Sequence, residues 1–293
     1  MPLFPGFSAE LIETGGTTIH VLRKGAGPPL LLLHGYPETH VTWHKVAPQL
    51  AEHFSDYVPD LRGYGDSGKP PDGERHENYS FRVMAQDQID LMRHYGHERF
   101  LVAAHDRGAR VAHRLCLDHP ESVKKVCLMD IAPTLTMYRG TNQEFATKYV
   151  WWFFLIQPTP LPEHLIGLDP EFYLQQIFRS LDKTPGAIAP DTMNEYVRAF
   201  SNVAAIHASC EDFRAAANID LEMDKADDEA GKKIECPLHV LWGAKGTVGS
   251  LWDVLAVWRE KCATSVTGKA LDCSHFLAEE CPQDVLTELF QFY

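Results

Sequence analysis

The 293-residue sequence contains no run of Lys and Arg longer than a pair and no Cys-x-x-C pair. It also lacks any uncharged apolar stretch of the about 18 residues that a membrane-spanning helix needs. Each absence removes a class of function. Forty acidic residues against 27 basic ones give a formal net charge of −13, so the electrostatic footprint of a nucleic-acid binder is missing. The cysteines, Cys116, Cys127, Cys210, Cys236, Cys262, Cys273 and Cys281, are odd in number and scattered. That usage fits reduced structural thiols better than a disulfide framework or a zinc site. Met1 to Gly6 holds neither the basic nor the apolar region of a secretory leader, and the expectation is a cytoplasmic protein with no membrane partner. His40 and His44 stand at helical spacing, but no acidic third ligand follows at a recognisable distance, so no metal and no other cofactor is expected.

What is present is an alternation. Short apolar runs bounded by turn residues predict strands at Thr18 to Leu22, Pro29 to Leu33, Tyr57 to Leu61, Arg99 to Ala104, Lys125 to Met129 and Leu238 to Trp242. Runs such as Leu30-Leu31-Leu32-Leu33 are apolar throughout, as in a parallel sheet covered on both faces. Helical spacing between them, as from Phe81 to Tyr95, predicts an α/β fold with a mostly parallel central sheet. From Pro133 to Asn218 strand signals vanish, aromatics cluster at Tyr149 to Phe154, and Pro158, Pro160 and Pro162 interrupt the run. The expected organisation is a core over 1–132 and 219–293 with an inserted helical cap over 133–218. A closing helix is predicted near Asp284 to Phe292.

The strand ending at Ala104 runs into Ala104-His105-Asp106-Arg107-Gly108 and then a helical pattern. Small residues two before and two after the central position match the tight strand-to-helix turn of the α/β-hydrolase elbow, with Asp106 where the nucleophile sits. A carboxylate there attacks an alkyl carbon bearing a halogen or an epoxide oxygen and yields an ester on the enzyme. The bland alternative is that Asp106 only caps the helix. His275, in Cys273-Ser274-His275-Phe276 before the last helix, is the expected water-activating base. The strand reaching Trp242 leads into Gly243-Ala244-Lys245-Gly246 without an acid, so Asp130, closing an earlier strand, is expected to orient the base, with Asp253 as the alternative. His34-Gly35-Tyr36-Pro37 follows the Leu30 to Leu33 strand, and the backbone N–H groups of Tyr36 and Arg107 are the expected oxyanion hole.

These segments, together with Asp60 to Gly65, Asp130-Ile131-Ala132-Pro133, Gln157 to Pro162 and Cys210-Glu211-Asp212, resemble the fluoroacetate/haloacetate dehalogenase family, relatives of the epoxide hydrolases, over nearly the whole chain. The resemblance implies the triad Asp106, His275 and Asp130. It also implies that Arg107 and Arg110, one turn apart on one helix face, grip a substrate carboxylate, a task suited to charge-assisted guanidinium bonds. The family's halide donors are a His-Trp pair and a Tyr; this sequence has Trp151-Trp152 and Phe213 there. Trp152 matches, whereas Trp151 and Phe213 depart, which favours chloroacetate and bromoacetate over fluoroacetate as substrates. The implied partner is a small halogenated carboxylate, in a protein whose relatives are commonly homodimers. Two rivals stand beside this reading. An epoxide hydrolase would use the same pair with a cap tyrosine, for which Tyr138, Tyr149, Tyr173 and Tyr196 are candidates. A non-catalytic receptor of the same fold would bind a carboxylate without turnover.

Overall fold

The computed structural model describes residues 3–293. Among these residues eight strands form one sheet: β1 (Ser8–Thr14), β2 (Thr17–Lys24), β3 (Pro29–Leu33), β4 (Ser55–Pro59), β5 (Phe100–His105), β6 (Val123–Met129), β7 (Leu238–Gly243) and β8 (Val266–Leu271). Their spatial order is β1-β2-β4-β3-β5-β6-β7-β8. The β1/β2 and β2/β4 pairs are antiparallel and every later pair is parallel. The apolar runs of β3 and β5 explain their central places. Leu31, Leu33, Val102 and Ala104 pack into one core and Leu30, Leu32, Leu101 and Ala103 into the other, so both faces of these strands are buried.

Two strands escaped the sequence reading, and both lie at edges. β1 carries Glu10 and Glu13, is largely exposed, and is joined to β2 by the Gly15-Gly16 turn, a hairpin signal that outranked its weak apolar pattern. β8 reads Val-Thr-Gly-Lys-Ala-Leu and buries only Leu271 fully. The strand expected over Tyr57 to Leu61 occupies Ser55–Pro59 instead. The chain leaves the sheet at Pro59 because Asp60 turns inward, its carboxylate accepting hydrogen bonds from both His20 and His40 at 2.9 and 2.8 Å.

The helix expected from Phe81 runs over Phe81–His94, capped by the Ser80 hydroxyl, which accepts from the Val83 N–H. The closing helix begins slightly earlier than expected, at Pro282. Between β6 and β7, among the described residues, the chain adds no strand to the sheet and forms helices from Thr134–Arg139 to Ile219–Glu229. These lie against the end of the sheet where β5 and β6 finish. None of the described helices is long and apolar enough to cross a membrane.

Candidate active site

Asp106 is the first residue of the helix Asp106–Asp118, directly after β5, with φ at +42°. A non-glycine residue in this left-handed region is uncommon, and it is the backbone that a sharp strand-to-helix turn demands. Two glycines make room for it. A Cβ on Gly108 would stand 2.3 Å from the His34 carbonyl oxygen, which accepts instead from the Gly108 N–H at 2.9 Å. A Cβ on Gly35 would stand 2.5 Å from the Asp106 Cβ. The loop after β3 therefore presses against the elbow, and the Tyr36 N–H donates to Asp106 Oδ1 at 3.0 Å.

His275 and Asp130 meet, Nδ1 to Oδ2, at 2.6 Å. Asp130 also stands in the left-handed region, at φ +51°, and its Oδ1 accepts from the Gly243 N–H at 3.0 Å. The end of β7, which has no acid of its own, thus holds the acid contributed by β6. Asp253 is elsewhere, capping the helix Val254–Glu260 by accepting from the Ala256 N–H. Burial alone would raise the Asp106 carboxyl. The charges of His275, Arg110 and His105, with the Tyr36 N–H, overcome that and hold it below the usual carboxylate range.

Arg107 and Arg110 are both buried, and each is fastened by part of its guanidinium. Arg107 Nε and Nη2 engage the Asp212 carboxylate, and Nη2 also donates to the Asp212 carbonyl at 2.9 Å. Its plane lies 4.1 Å from the Phe213 ring centre. Arg110 Nη1 donates to Thr134 Oγ1 at 2.9 Å and to the Ala132 carbonyl, and the group lies 4.7 Å from the Trp152 ring centre. One buried nitrogen of each, Arg107 Nη1 and Arg110 Nε, has no hydrogen-bond partner among the described residues. Burial lowers Arg110 to about 10 despite the opposing pull of Asp106.

The role of Asp212 was not read from the sequence, although Cys210-Glu211-Asp212 was noted. The usable signal is that a buried acid requires a cation, and Arg107 is the arginine that reaches it. The Tyr64 hydroxyl also donates to Asp212, at 2.5 Å. A second unread pair lies beneath the elbow, where His105 hydrogen-bonds Glu38 at 2.7 Å.

Trp152 is almost wholly buried, with Tyr138, Phe145, Tyr149 and Phe213 around it; Trp151 packs on Tyr149. Of the four tyrosines, Tyr173 accepts from the Tyr36 hydroxyl and Tyr196 donates to Glu279. The Tyr138 hydroxyl is buried without a partner among the described residues, close to both arginines. Tyr149 shares a cleft with Asp130 and His275. The two histidines at helical spacing part company, His40 turning to Asp60 and His44 to the Val41 carbonyl. His20, His40 and Asp60 are near enough for one ion. The Asp60 oxygens, however, already accept from two imidazoles and from the His40 and Asp66 N–H groups. All seven cysteines are free thiols.

Residues 28–282 match the α/β hydrolase fold family. The chain belongs to that family. Fluoroacetate dehalogenase from a Burkholderia species is 41% identical over 291 residues, covering 99% of this chain and 95% of that protein. The soluble epoxide hydrolase of a Corynebacterium species is 30% identical, covering 95% of this chain and 94% of its own. In three dimensions, an α/β hydrolase from Nostoc superposes with a TM-score of 0.96 at 54% identity, covering 98% of both chains. This α/β hydrolase is therefore similar over nearly its whole length to a fluoroacetate dehalogenase and to a soluble epoxide hydrolase.

Proposed function

We propose that this α/β hydrolase is a haloacetate dehalogenase that converts 2-haloacids of acetate size to 2-hydroxy acids through an ester on Asp106. The observation that carries the reading is the pair of buried guanidinium groups, each retaining one free nitrogen, beside an ionised buried aspartate. Two such donors suit the two oxygens of a carboxylate. The similarity to fluoroacetate dehalogenase supports the carbon-halogen bond as the one that breaks.

With the substrate carboxylate on Arg107 Nη1 and Arg110 Nε, Asp106 attacks the α-carbon in line, and halide leaves with the bonding pair toward Trp152 and Trp151. His275 Nδ1 faces Asp130, which leaves Nε2 to take a proton from water. The hydroxide adds to the Asp106 carbonyl carbon, and the Tyr36 and Arg107 N–H groups receive the oxyanion. The ester C–O bond then breaks, His275 returns its proton to the departing alkoxide, glycolate is released, and the Asp106 carboxyl gives the remaining proton to solvent, which restores the carboxylate. The helices over 133–218 act as a cap that excludes water during the first step.

Halide release from chloroacetate, bromoacetate and fluoroacetate, with glycolate measured alongside, tests the reading. Chloride and bromide release is expected, and His275→Gln should accumulate the ester as a mass gain on the intact protein. No halide from any of the three would remove the proposal. The second reading, epoxide hydrolysis, rests on Tyr149, which shares the cleft with Asp130 and His275; turnover of styrene oxide without turnover of haloacetates would favour it.

A further inference from the structure

His105 precedes Asp106 and takes no part in the chemistry proposed above. It is buried, 2% exposed, with its ring 4.7 Å from that of His275. Its Nδ1 lies 2.7 Å from Glu38 Oε2, and its Nε2 lies 2.8 Å from the main-chain carbonyl of His275. A backbone carbonyl only accepts. Glu38 is also acting as an acceptor: Oε2 takes the Gly35 N–H at 2.8 Å and Oε1 takes the Thr42 hydroxyl at 2.7 Å. With acceptors at both ring nitrogens, the ring carries a proton on each.

We propose that His105 is a positioning residue, held as an imidazolium by Glu38, which ties the elbow, the loop after β3 and the His275 loop into one unit and keeps a positive charge beneath Asp106. The inference rests on the reading of Asp106 and His275 given above. Through Glu38 it reaches Gly35, whose neighbour Tyr36 contacts the Asp106 carboxylate. Through the His275 carbonyl it fixes the backbone that carries the base. The charge beneath Asp106 favours the carboxylate in the resting enzyme and the oxyanion that forms at the same carbon during ester hydrolysis.

The groups facing this ring are Glu38, Asp106, Asp130 and His275, with Glu279 beyond Glu38. Burial disfavours the imidazolium, but Glu38 foremost, then Asp106 and Asp130, reverse this and raise His105 to about 9. Its folded value lies above the ordinary one, so the arrangement is complete at neutral pH and is lost as pH rises through about 9.

Two measurements test this. The first is the nitrogen-15 NMR spectrum of histidine-labelled wild-type protein, with His105 assigned through its backbone. Both ring nitrogens should be protonated from pH 6 to 8, and a neutral ring at pH 7 would overturn the proposal whatever the enzyme's substrate. The second is the pH profile of kcat for wild type and Glu38→Gln on whichever substrate is turned over. The alkaline limb should move down by at least about one pH unit in the variant. A variant that loses thermal stability yet keeps the wild-type limb would show that the pair only braces the fold. An imidazolium seen by NMR in a protein that turns over no haloacetate would leave this inference standing and sink the proposed function.

Discussion

Replacing Arg110 with Met removes the guanidinium while keeping an unbranched apolar chain of similar reach against the Trp152 ring. The structure sets the magnitude. Arg110 has one buried nitrogen free for substrate, Nε, while Nη1 is occupied by Thr134 and Ala132. One hydrogen bond to a charged group contributes roughly 1.5 to 3 kcal/mol, which is about a tenfold to hundredfold loss in kcat/KM for chloroacetate. Chloroacetamide, which has the same reacting carbon but no charge, should lose much less. A second effect runs through Asp106, whose carboxyl Arg110 helps to hold down. Its folded value is depressed, so the ionised form persists well into acid in the wild type, and the acid limb of kcat/KM should move upward in Arg110→Met. Steady-state kinetics on both substrates from pH 4 to 9 read both effects. Equal losses for chloroacetate and chloroacetamide would refute the carboxylate grip, because they would mean that Arg110 serves the elbow alone.

Phe213→Tyr places a phenol where the resembling family has one, against Arg107. It should raise fluoride release from fluoroacetate by about tenfold or more, read with a fluoride electrode; no rise while chloride release stays intact would show that this position does not face the halide. Asp56 is fully buried, neither of its carboxylate oxygens has a partner among the described residues, and burial raises its carboxyl to about 8. Because the folded value exceeds the unfolded one, the contribution of Asp56 to stability is full below about pH 4 and falls as pH rises toward 8, by at most about 1.4 kcal/mol per pH unit. Asp56→Asn should therefore gain on the wild type in urea denaturation at pH 8 but not at pH 4, and parallel pH dependences would disprove the buried neutral acid.

The parts of this molecule legible in the sequence are those where a local pattern and a tertiary role coincide. Leu30 to Leu33 reads as a two-faced strand because both of its faces are covered. Ala104 and Gly108 frame Asp106 because the elbow forbids anything larger. The edge strands were missed because an edge needs only one weakly apolar face, and charges such as Glu10 and Glu13 are welcome there. The pairing of His275 with Asp130 was legible from chain order and strand ends. The partners Asp212 and Glu38 were not, since nothing local in a sequence tells which of 40 acids a fold will bury against a given cation. Arg107 is the instructive case: read as a free hand for substrate, it has two of its three nitrogens committed to Asp212, and only Nη1 remains.

The two carboxylates at φ +42° and +51° have a consequence for descent. A non-glycine residue held in the left-handed region costs roughly 1 to 3 kcal/mol, and Asn or Gly tolerates that backbone more readily. At Asp106 and Asp130 that backbone cost is offset by what each carboxylate holds, the Tyr36 N–H and the surrounding cations at Asp106 and the Gly243 N–H and His275 at Asp130. A lineage freed from selection for turnover would therefore keep an acceptor oxygen at these two positions, and Asn is the replacement that retains both the backbone and the acceptor. Inert relatives with Asn at either position are to be expected among its homologues, bearing an intact elbow with no carboxylate on it.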